Sequence, residues 1–206
     1  MSLSLAAGLT LYFCRHGETQ ANVEHRFQGR STDTPLTAKG CEQAHAMARI
    51  LARHGGEPAR FAYVCSPLQR AQTTMKIIRE TLNMPEDGYS TDDRISEINL
   101  GNWDGLTDDE ARALDPVLFD RRKADKWNIR VPGGENYADV AQRCESWIAD
   151  LRADSFAVAH GALTRILRGL FQGLTWQEMS ALDETQGVIF RVRGSCVERL
   201  EADSHA

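Results

Sequence analysis

Short apolar runs that end in polar residues recur along the chain and predict the buried strands of a sheet. Three runs are rich in strand-forming side chains, at residues 9–14, 61–65 and 155–159. Residues 187–200 form a pair of such segments around Arg193 and Gly194, which predicts a hairpin at one edge of the sheet. A short edge strand is also predicted at 89–91.

Segments with helical periodicity lie between these strands. One helix is predicted from Thr37, as its N-cap, to the Gly55-Gly56 pair, and another from Asn136 to about residue 151. Ser66 and Pro67 predict a helix start, with the serine as cap and the proline in the first turn. A further helix follows residue 160. Repeated strand, turn and helix units predict a three-layer α/β/α sandwich around a mostly parallel sheet.

Three segments interrupt this alternation. Residues 19–35 are polar and lack periodicity, which predicts a long loop of the kind that is usually functional. Residues 92–105 predict an extended segment bent by glycines. Residues 105–131 predict two short helices, at 108–114 and 116–125, which would form a small helical lid inserted in a single domain covering residues 1–206.

The composition argues against two classes of binding partner, nucleic acids and membranes. The 206 residues suit one domain, and the net charge of -5 offers no field that would attract nucleic acid or an anionic membrane. No run of about eighteen apolar residues predicts a membrane span. The five cysteines are widely spaced without a CxxC pair, so we expect reduced thiols, no zinc site and a cytoplasmic protein. The pattern gives no prediction of oligomeric state.

Candidate chemistry lies where the predicted strands end. Arg15 and His16 follow the first strand, Arg70 begins the helix after the second, and His160 follows the third. Because the carboxyl ends of parallel strands share one edge, these side chains are expected to converge. Two arginines and two histidines without a carboxylate cluster suit a phosphate, whose oxygens match the fork of a guanidinium. One neutral imidazole would then attack phosphorus.

Transfer of a phosphoryl group from an ester also needs an acid for the leaving oxygen. Glu97, in a glycine-rich segment, is the candidate, and Asp92, Asp93 and Asp104 are competitors that spacing alone does not exclude. Trp103 is either a wall of the substrate pocket or a core anchor for the lid. The cations at 121–130 are more typical of a solvated face than of a ligand site.

Five segments in this order resemble the signature of the histidine phosphatase superfamily, which includes the cofactor-dependent phosphoglycerate mutases. They are RHGET at 15–19, SPLQRAQT at 66–73, EINLGNWDG at 97–105, PGGE at 132–135 and AHG at 159–161. The resemblance covers roughly residues 9–200. One departure is Asn136, where many relatives have serine; both residues cap helices.

The resemblance implies a role for each matching residue. His16 would be the nucleophile that forms a phosphohistidine, and Glu97 would be the proton donor. The phosphoryl group would be held by Arg15, Arg70 and His160. The substrate-facing loop would contribute Asn22, Gln28 and Gly29. The resemblance implies neither a metal nor an organic cofactor.

The length of the segment at residues 105–131 predicts the branch of the superfamily to which the chain is similar. The mutases carry a longer insertion between the glutamate motif and the Pro-Gly-Gly turn than residues 105–131 provide, and the run from Gly101 to Gly105 is closer to the phosphatases. We therefore expect a metal-independent phosphatase that hydrolyses a small phosphorylated metabolite. The alternatives are a phosphoglycerate mutase and, because fold alone does not establish activity, a non-catalytic interaction module.

Overall fold

The structure, a computed structural model, describes residues 3–202, and a mixed sheet runs through their centre. The six strands of this part of the chain are β1 (Thr10–Arg15), β2 (Ala62–Cys65), β3 (Ser90–Thr91), β4 (Ser155–Ala159), β5 (Ile189–Arg193) and β6 (Cys196–Leu200). Their order across the sheet is β3-β2-β4-β1-β5-β6. The four strands from β3 to β1 are parallel, and the hairpin of β5 and β6 adds antiparallel strands at the edge.

Helices cover both faces of the sheet. They are α1 (Gln20–Val23), α2 (Ala38–His54), α3 (Gln69–Thr81), α4 (Asp108–Leu114), α5 (Pro116–Ala124), α6 (Tyr137–Ala149), α7 (Gly161–Gln172) and α8 (Trp176–Ala181). Buried side chains of α2 and α3 form one core cluster, and those of α6, α7 and α8 form another. The predicted α/β/α sandwich is confirmed. No helix within residues 3–202 has both the length and the apolar character that crossing a membrane requires.

Alternation along β1 divides its side chains between the two core clusters. Leu11 and Phe13 pack into the cluster with α6 and α7, whereas Tyr12 and Cys14 pack into the cluster with α2 and α3. All four side chains are buried. A strand that is covered on both faces reads as a continuous apolar run, which is the pattern that identified β1 in the sequence.

The parallel register brings the strand ends together. Arg15 of β1 is paired with Ala159 of β4, and Cys65 of β2 is paired with Val158 of the same strand. The residues that follow these three strands therefore emerge at one edge of the sheet, where open α/β sheets bind ligands.

Two local predictions are wrong. The helix after β2 begins at Gln69 rather than Pro67, and its N-cap, Leu68, has no side-chain capping bond. The hydroxyl of Ser66 lies 2.7 Å from Nε2 of His160 and accepts from the backbone N–H of Leu68 at 3.3 Å, so it caps no N–H within the helix. The predicted loop at 19–35 contains the short helix α1. This helix begins at a reciprocal capping box between Thr19 and Asn22, the third residue of the helix.

The segment between 105 and 131 contains α4 and α5 close to the predicted positions. Ala111 and Phe119 from these helices form a small third core cluster with Trp103 and Val131. Trp103 closes a 3₁₀ turn at Gly101–Trp103, which interrupts the segment that we expected to be extended. The role of this helical pair as a lid stays a prediction.

Candidate active site

The tautomer of His16 is fixed by its two ring contacts. Nδ1 lies 2.7 Å from the carbonyl oxygen of Gly17, and a carbonyl can only accept, so Nδ1 carries the proton. Nε2 accepts a hydrogen bond from Nε of Arg70 at 3.2 Å. The unprotonated nitrogen of the ring is therefore Nε2, on the side of the arginine.

The same surroundings keep His16 neutral. The side chain is buried, with only 2% of the residue exposed. Burial lowers the pKa of His16 well below its usual value, and the nearby charges of Arg15 and Arg70 lower it further. A neutral imidazole with a free lone pair is the nucleophilic form of histidine.

Close packing explains the glycine that follows His16. A Cβ atom on Gly17 would lie 2.2 Å from the carbonyl oxygen of Gly40 in the first turn of α2. The backbone N–H of Gly17 donates to Oγ1 of Thr74 on α3 at 3.0 Å. Thr74 in turn donates to the carbonyl of Arg70 at 2.8 Å. The backbone after β1 is thus anchored to both helices of this face.

Arg70 lies in the first turn of α3 with its guanidinium fully enclosed. It donates to the carbonyl oxygens of Thr32 and Gly29, at 3.1 and 2.8 Å, and pairs with Asp33 at 3.0 Å. These contacts fix the plane of the guanidinium beside His16. A cation at the start of a helix opposes the helix dipole, and Asp33 compensates by accepting from the backbone N–H groups of this turn.

His160 directly follows β4 and occupies the N-cap position of α7. Its ring is fully buried, and the centroid lies 5.2 Å from that of His16, with the planes at 60°. Nδ1 of His160 and Nε of Arg15 are buried without a protein partner in the described part of the chain. Buried polar atoms are rarely left unpaired, and of these two residues Arg15 lines the cavity described below. Arg15 also donates from Nη1 to the carbonyl of Glu184 at 2.7 Å.

Glu97 is held with its carboxyl group at the start of α7. Oε2 accepts from the backbone N–H of Ala162 at 3.4 Å, and Oε1 accepts from that of Ile98 at 2.9 Å. Burial and the charge of Glu184 raise the pKa of Glu97, and the Ile98 bond and the charges of Arg70 and Arg15 oppose this rise. A carboxyl group with a raised pKa retains a proton at higher pH, as a proton donor requires.

The competing aspartates have other contacts. Asp92 forms an ion pair with Arg94 at 2.7 Å. Asp104 accepts from the backbone N–H groups of Gly29 and Ser31, at 3.0 and 2.7 Å. Asp93 is exposed. None of the three aspartates lines the cavity described next, whereas Glu97 does.

A cavity of about 290 Å³ opens beside these groups. Six of the predicted site residues line it: Arg15, His16, Asn22, Gln28, Glu97 and Trp103. Arg70 and His160 are not among the lining residues of the described chain. Arg70 bonds to Nε2 of His16, and the ring centroid of His160 lies 5.2 Å from that of His16. Gly29 is also outside this lining, and its carbonyl holds Arg70.

The side-chain amides of the predicted substrate-facing loop form hydrogen bonds within the protein. Oδ1 of Asn22 accepts from Nε2 of Gln186 at 3.1 Å. The side chain of Gln28 bonds to Thr19 at 2.8 Å and to Thr34 at 3.1 Å. The roles of Asn22, Gln28 and Gly29 in binding substrate stay predictions.

Trp103 meets both interpretations that the sequence allowed. It lines the cavity and also packs in the cluster with α4 and α5. Its ring lies 5.9 Å from that of Phe27 and 5.5 Å from that of Phe119, which also line the cavity. The cavity therefore has an aromatic wall.

Several residues of the site have no signal in the sequence pattern. Glu184 lies in the cavity lining and pairs with Arg165 at 2.8 Å. Gln186 donates to the carbonyl of His16 at 3.0 Å. Both lie between α8 and β5 in a polar segment without periodicity, and nothing in its pattern links it to β1. Asp33 also lies in a segment without periodicity, and nothing in the sequence pattern links it to Arg70. In residues 3–202 no group of three or more histidine, cysteine or acidic side chains is placed to hold a metal ion.

Known proteins resemble this chain along most of its length. "Bifunctional protein Rv2228c" of Mycobacterium tuberculosis is 33% identical over 182 residues, which cover 88% of this chain and 46% of that protein. "Probable fructose-2,6-bisphosphatase C732.02c" of Schizosaccharomyces pombe is 27% identical, covering 93% of this chain and 45% of that protein. The chain thus spans less than half the length of these relatives.

Solved structures share the fold. A putative alpha-ribazole-5'-P phosphatase from Escherichia coli superposes with a TM-score of 0.80 at 25% identity, covering 98% of both chains. The mycobacterial glucosyl-3-phosphoglycerate phosphatase Rv2419c in complex with VO3 gives 0.76 at 27% identity, covering 97% of this chain and 100% of that one. The model of the "Histidine phosphatase superfamily (branch 1)" matches residues 11–197, and the chain therefore belongs to this superfamily.

Proposed function

We propose that this protein is a phosphatase that hydrolyses small phosphate monoesters through a phosphohistidine on His16. Family membership and the phosphatases among its relatives support phosphatase activity. The observation that carries the proposed mechanism is the fixed tautomer of His16, because the Gly17 carbonyl holds the proton on Nδ1 and leaves the lone pair on Nε2.

In the first step, Nε2 of His16 attacks phosphorus and the bond from phosphorus to the ester oxygen breaks. The leaving oxygen takes the proton of Glu97, whose raised pKa suits it to this donation. Arg70 exchanges its bond with Nε2 for a bond to a phosphoryl oxygen. Arg15 and His160 supply the unpartnered nitrogens described above, and fixed donors of this kind stabilise the charge of the transition state.

In the second step, water attacks phosphorus and the bond to Nε2 breaks. Glu97, now a carboxylate, accepts the proton of the water, so the enzyme returns to its starting protonation state and inorganic phosphate leaves. Because the chain's own groups supply the nucleophile, the acid and the cations, the proposed mechanism assigns no step to a metal.

The test is hydrolysis of p-nitrophenyl phosphate by the full chain in the presence of EDTA. We expect phosphate release by the unmodified protein and none above background by His16→Ala. The absence of turnover, or equal turnover by the two proteins, would contradict the proposal. Thermal unfolding of the variant serves as the control for folding.

A second assay separates hydrolysis from phosphoryl transfer between positions of one substrate. With 3-phosphoglycerate we expect any release of phosphate to exceed formation of 2-phosphoglycerate. Faster interconversion of the two phosphoglycerates than release of phosphate would show a mutase instead.

A further inference from the structure

Residues 182–188 connect α8 to β5 without a helix or strand, yet their backbone is held firmly beside the site. Three arginine side chains donate to successive carbonyl oxygens of this segment: Arg165 to Leu182 and Arg15 to Glu184, each at 2.7 Å, and Arg168 to Asp183. Gly187, with a φ of 78° in the left-handed region, then turns the chain toward β5. These contacts fix the position of Gln186.

The side-chain amide of Gln186 joins two parts of the site. Its Nε2 donates to the carbonyl oxygen of His16 at 3.0 Å and to Oδ1 of Asn22 at 3.1 Å. An amide nitrogen carries two hydrogens, so both are used. Because a carbonyl oxygen only accepts, the end of the Gln186 amide that faces His16 must be Nε2.

This contact sets the orientation of the next amide, that of Asn22. Oδ1 of Asn22 accepts from Nε2 of Gln186 and also from the backbone N–H of Thr19 at 3.2 Å. Rotation of the Asn22 amide by half a turn would point Nδ2 at these two donors, and an amide nitrogen does not accept. The carbonyl oxygen of His16 therefore fixes the orientation of Asn22 through Gln186.

The end of the Asn22 amide that remains free is a donor. Within residues 3–202, Nδ2 of Asn22 has no hydrogen-bond partner. Asn22 lines the same cavity as His16 and is half-buried. An N–H group attracts a phosphoryl oxygen, whereas the oxygen end of the same amide would repel it.

We propose that Gln186 is a positioning residue that orients the amide of Asn22 so that Nδ2 donates to the phosphoryl group bound at His16. The inference rests on the proposed function, which places the phosphoryl group there. Gln186 is not among the residues of the described chain that line the cavity, so its effect on the ligand passes through Asn22. A donor oriented in advance binds an anion without the cost of ordering it at the moment of binding.

The test measures the Kd of inorganic phosphate by calorimetry on the full chain, so that binding is separated from turnover. Gln186→Met keeps most of the size of the side chain and removes its N–H groups. We expect Kd to rise about tenfold in Gln186→Met and about tenfold in Asn22→Ala, because each loses the same hydrogen bond to a charged ligand. The matched control is Gln177→Met on the exposed side of α8, which should leave Kd unchanged.

The double variant distinguishes positioning from a general effect on the fold. If Gln186 acts through Asn22, the double variant should bind phosphate about as weakly as Asn22→Ala alone, since no Asn22 amide remains to be oriented. Independent effects would multiply to a loss of about a hundredfold. That multiplication would overturn the inference, as would an unchanged Kd in either single variant or the absence of phosphate binding by the unmodified protein.

Gln186→Glu provides the same cycle if Gln186→Met fails to fold, because glutamate has the shape of glutamine without its N–H groups. The added charge is present in both Asn22 backgrounds and cancels in the comparison. Gln186→Glu should therefore raise Kd by a smaller factor in the Asn22→Ala background than in the unmodified protein. Equal factors in the two backgrounds would overturn the inference.

These outcomes are separate from the fate of the proposed function. A protein that hydrolyses p-nitrophenyl phosphate but whose two substitutions act independently refutes the role of Gln186 only. A protein whose two substitutions are coupled in phosphate binding, but which hydrolyses no monoester, refutes the proposed function only.

Discussion

Nε of Arg70 donates a hydrogen bond to Nε2 of His16, and the two nitrogens are 3.2 Å apart. This contact joins the unprotonated nitrogen of the imidazole to a cation whose plane is fixed by Asp33 and two backbone carbonyls. The proposed nucleophile and the proposed anchor of the phosphoryl group are thus aligned before substrate arrives. In the proposed reaction only this one hydrogen bond passes from Nε2 to a phosphoryl oxygen, while the contacts that fix the guanidinium plane stay in place.

Arg70→Lys should lower kcat/KM for p-nitrophenyl phosphate by about 10²–10³-fold. Lysine keeps the charge opposite Asp33 but cannot reproduce the planar set of donors that Arg70 presents. Lys76→Gln is the control, since it replaces an exposed cation of the same helix and should leave kcat/KM unchanged. Activity close to that of the unmodified protein in Arg70→Lys would show that charge alone is sufficient.

The two histidines should differ in phosphoenzyme trapping. His16→Ala should give no phosphohistidine, whereas His160→Ala should form it more slowly, because His160 would hold the phosphoryl group without bonding to phosphorus. The measurement is rapid quench into alkali with a ³²P-labelled monoester, since phosphohistidine survives base. Equal residual labelling of both variants would refute this division of roles.

Glu97→Gln should depend strongly on the leaving group. For an alkyl phosphate, whose alkoxide needs a proton, we expect a loss of about 10²–10⁴-fold in kcat. For p-nitrophenyl phosphate the loss in the first step should be much smaller, because a stabilised phenolate leaves without protonation. The alkaline limb of kcat/KM, which reports ionisation of Glu97 above its usual pKa, should disappear in the variant. A uniform loss across leaving groups would contradict the assignment.

Glu97 should also destabilise the fold when it is ionised. Its pKa is raised in the folded state, so the folded protein binds this proton more tightly than the unfolded chain does. The corresponding stability is present at acid pH and is lost as the pH rises through the raised pKa. Glu97→Gln should therefore raise Tm at about pH 8 and change it little at about pH 4. A lower Tm of the variant at the higher pH would refute this.

Periodicity and strand composition were enough to predict the sheet and the order of the major helices. The continuous apolar run of β1 identified a strand buried on both faces, and the cap residues Thr37 and Asn136 marked the starts of α2 and α6. Serine before proline is a common helix start, whereas here the Ser66 hydroxyl bonds to the N–H of Leu68 and contacts His160, and the helix begins only at Gln69. The local serine-proline signal was therefore off by two residues in the position of the first helical residue.

The strand ends predicted which side chains would converge, but not what completes the site. The carbonyl of Glu184 accepts from Arg15, and the side chain of Gln186 donates to the carbonyl of His16. Gln186 and His16 are 170 positions apart in the chain. Single-sequence patterns contain no signal for such contacts, because the segment has no periodicity. The charge run at 121–130 is typical of a solvated face, whereas Arg122 is buried and lines the cavity.

The carboxylate of Glu135, which does not line the cavity, should act on Glu97 through the backbone of Glu97. Glu135 pairs with Arg30 and with Arg143, each at 3.2 Å. Both arginines donate to the carbonyl oxygen of Glu97, at 3.0 and 3.2 Å. Glu135 also accepts from the backbone N–H of Asn99 at 2.8 Å. Glu135 is therefore a positioning residue that fixes the backbone on both sides of Ile98.

Glu135→Gln should lower kcat for alkyl phosphates more than for p-nitrophenyl phosphate, because misplacement of Glu97 weakens protonation of the leaving oxygen. We expect a loss of about tenfold for the alkyl substrate and a shifted alkaline limb in kcat/KM, since a displaced Glu97 has a different pKa. Glu145→Gln, on the exposed face of α6, is the matched control and should change neither. A merely structural role for Glu135 would lower Tm and reduce activity toward both substrates equally, and that result would refute positioning through Glu97.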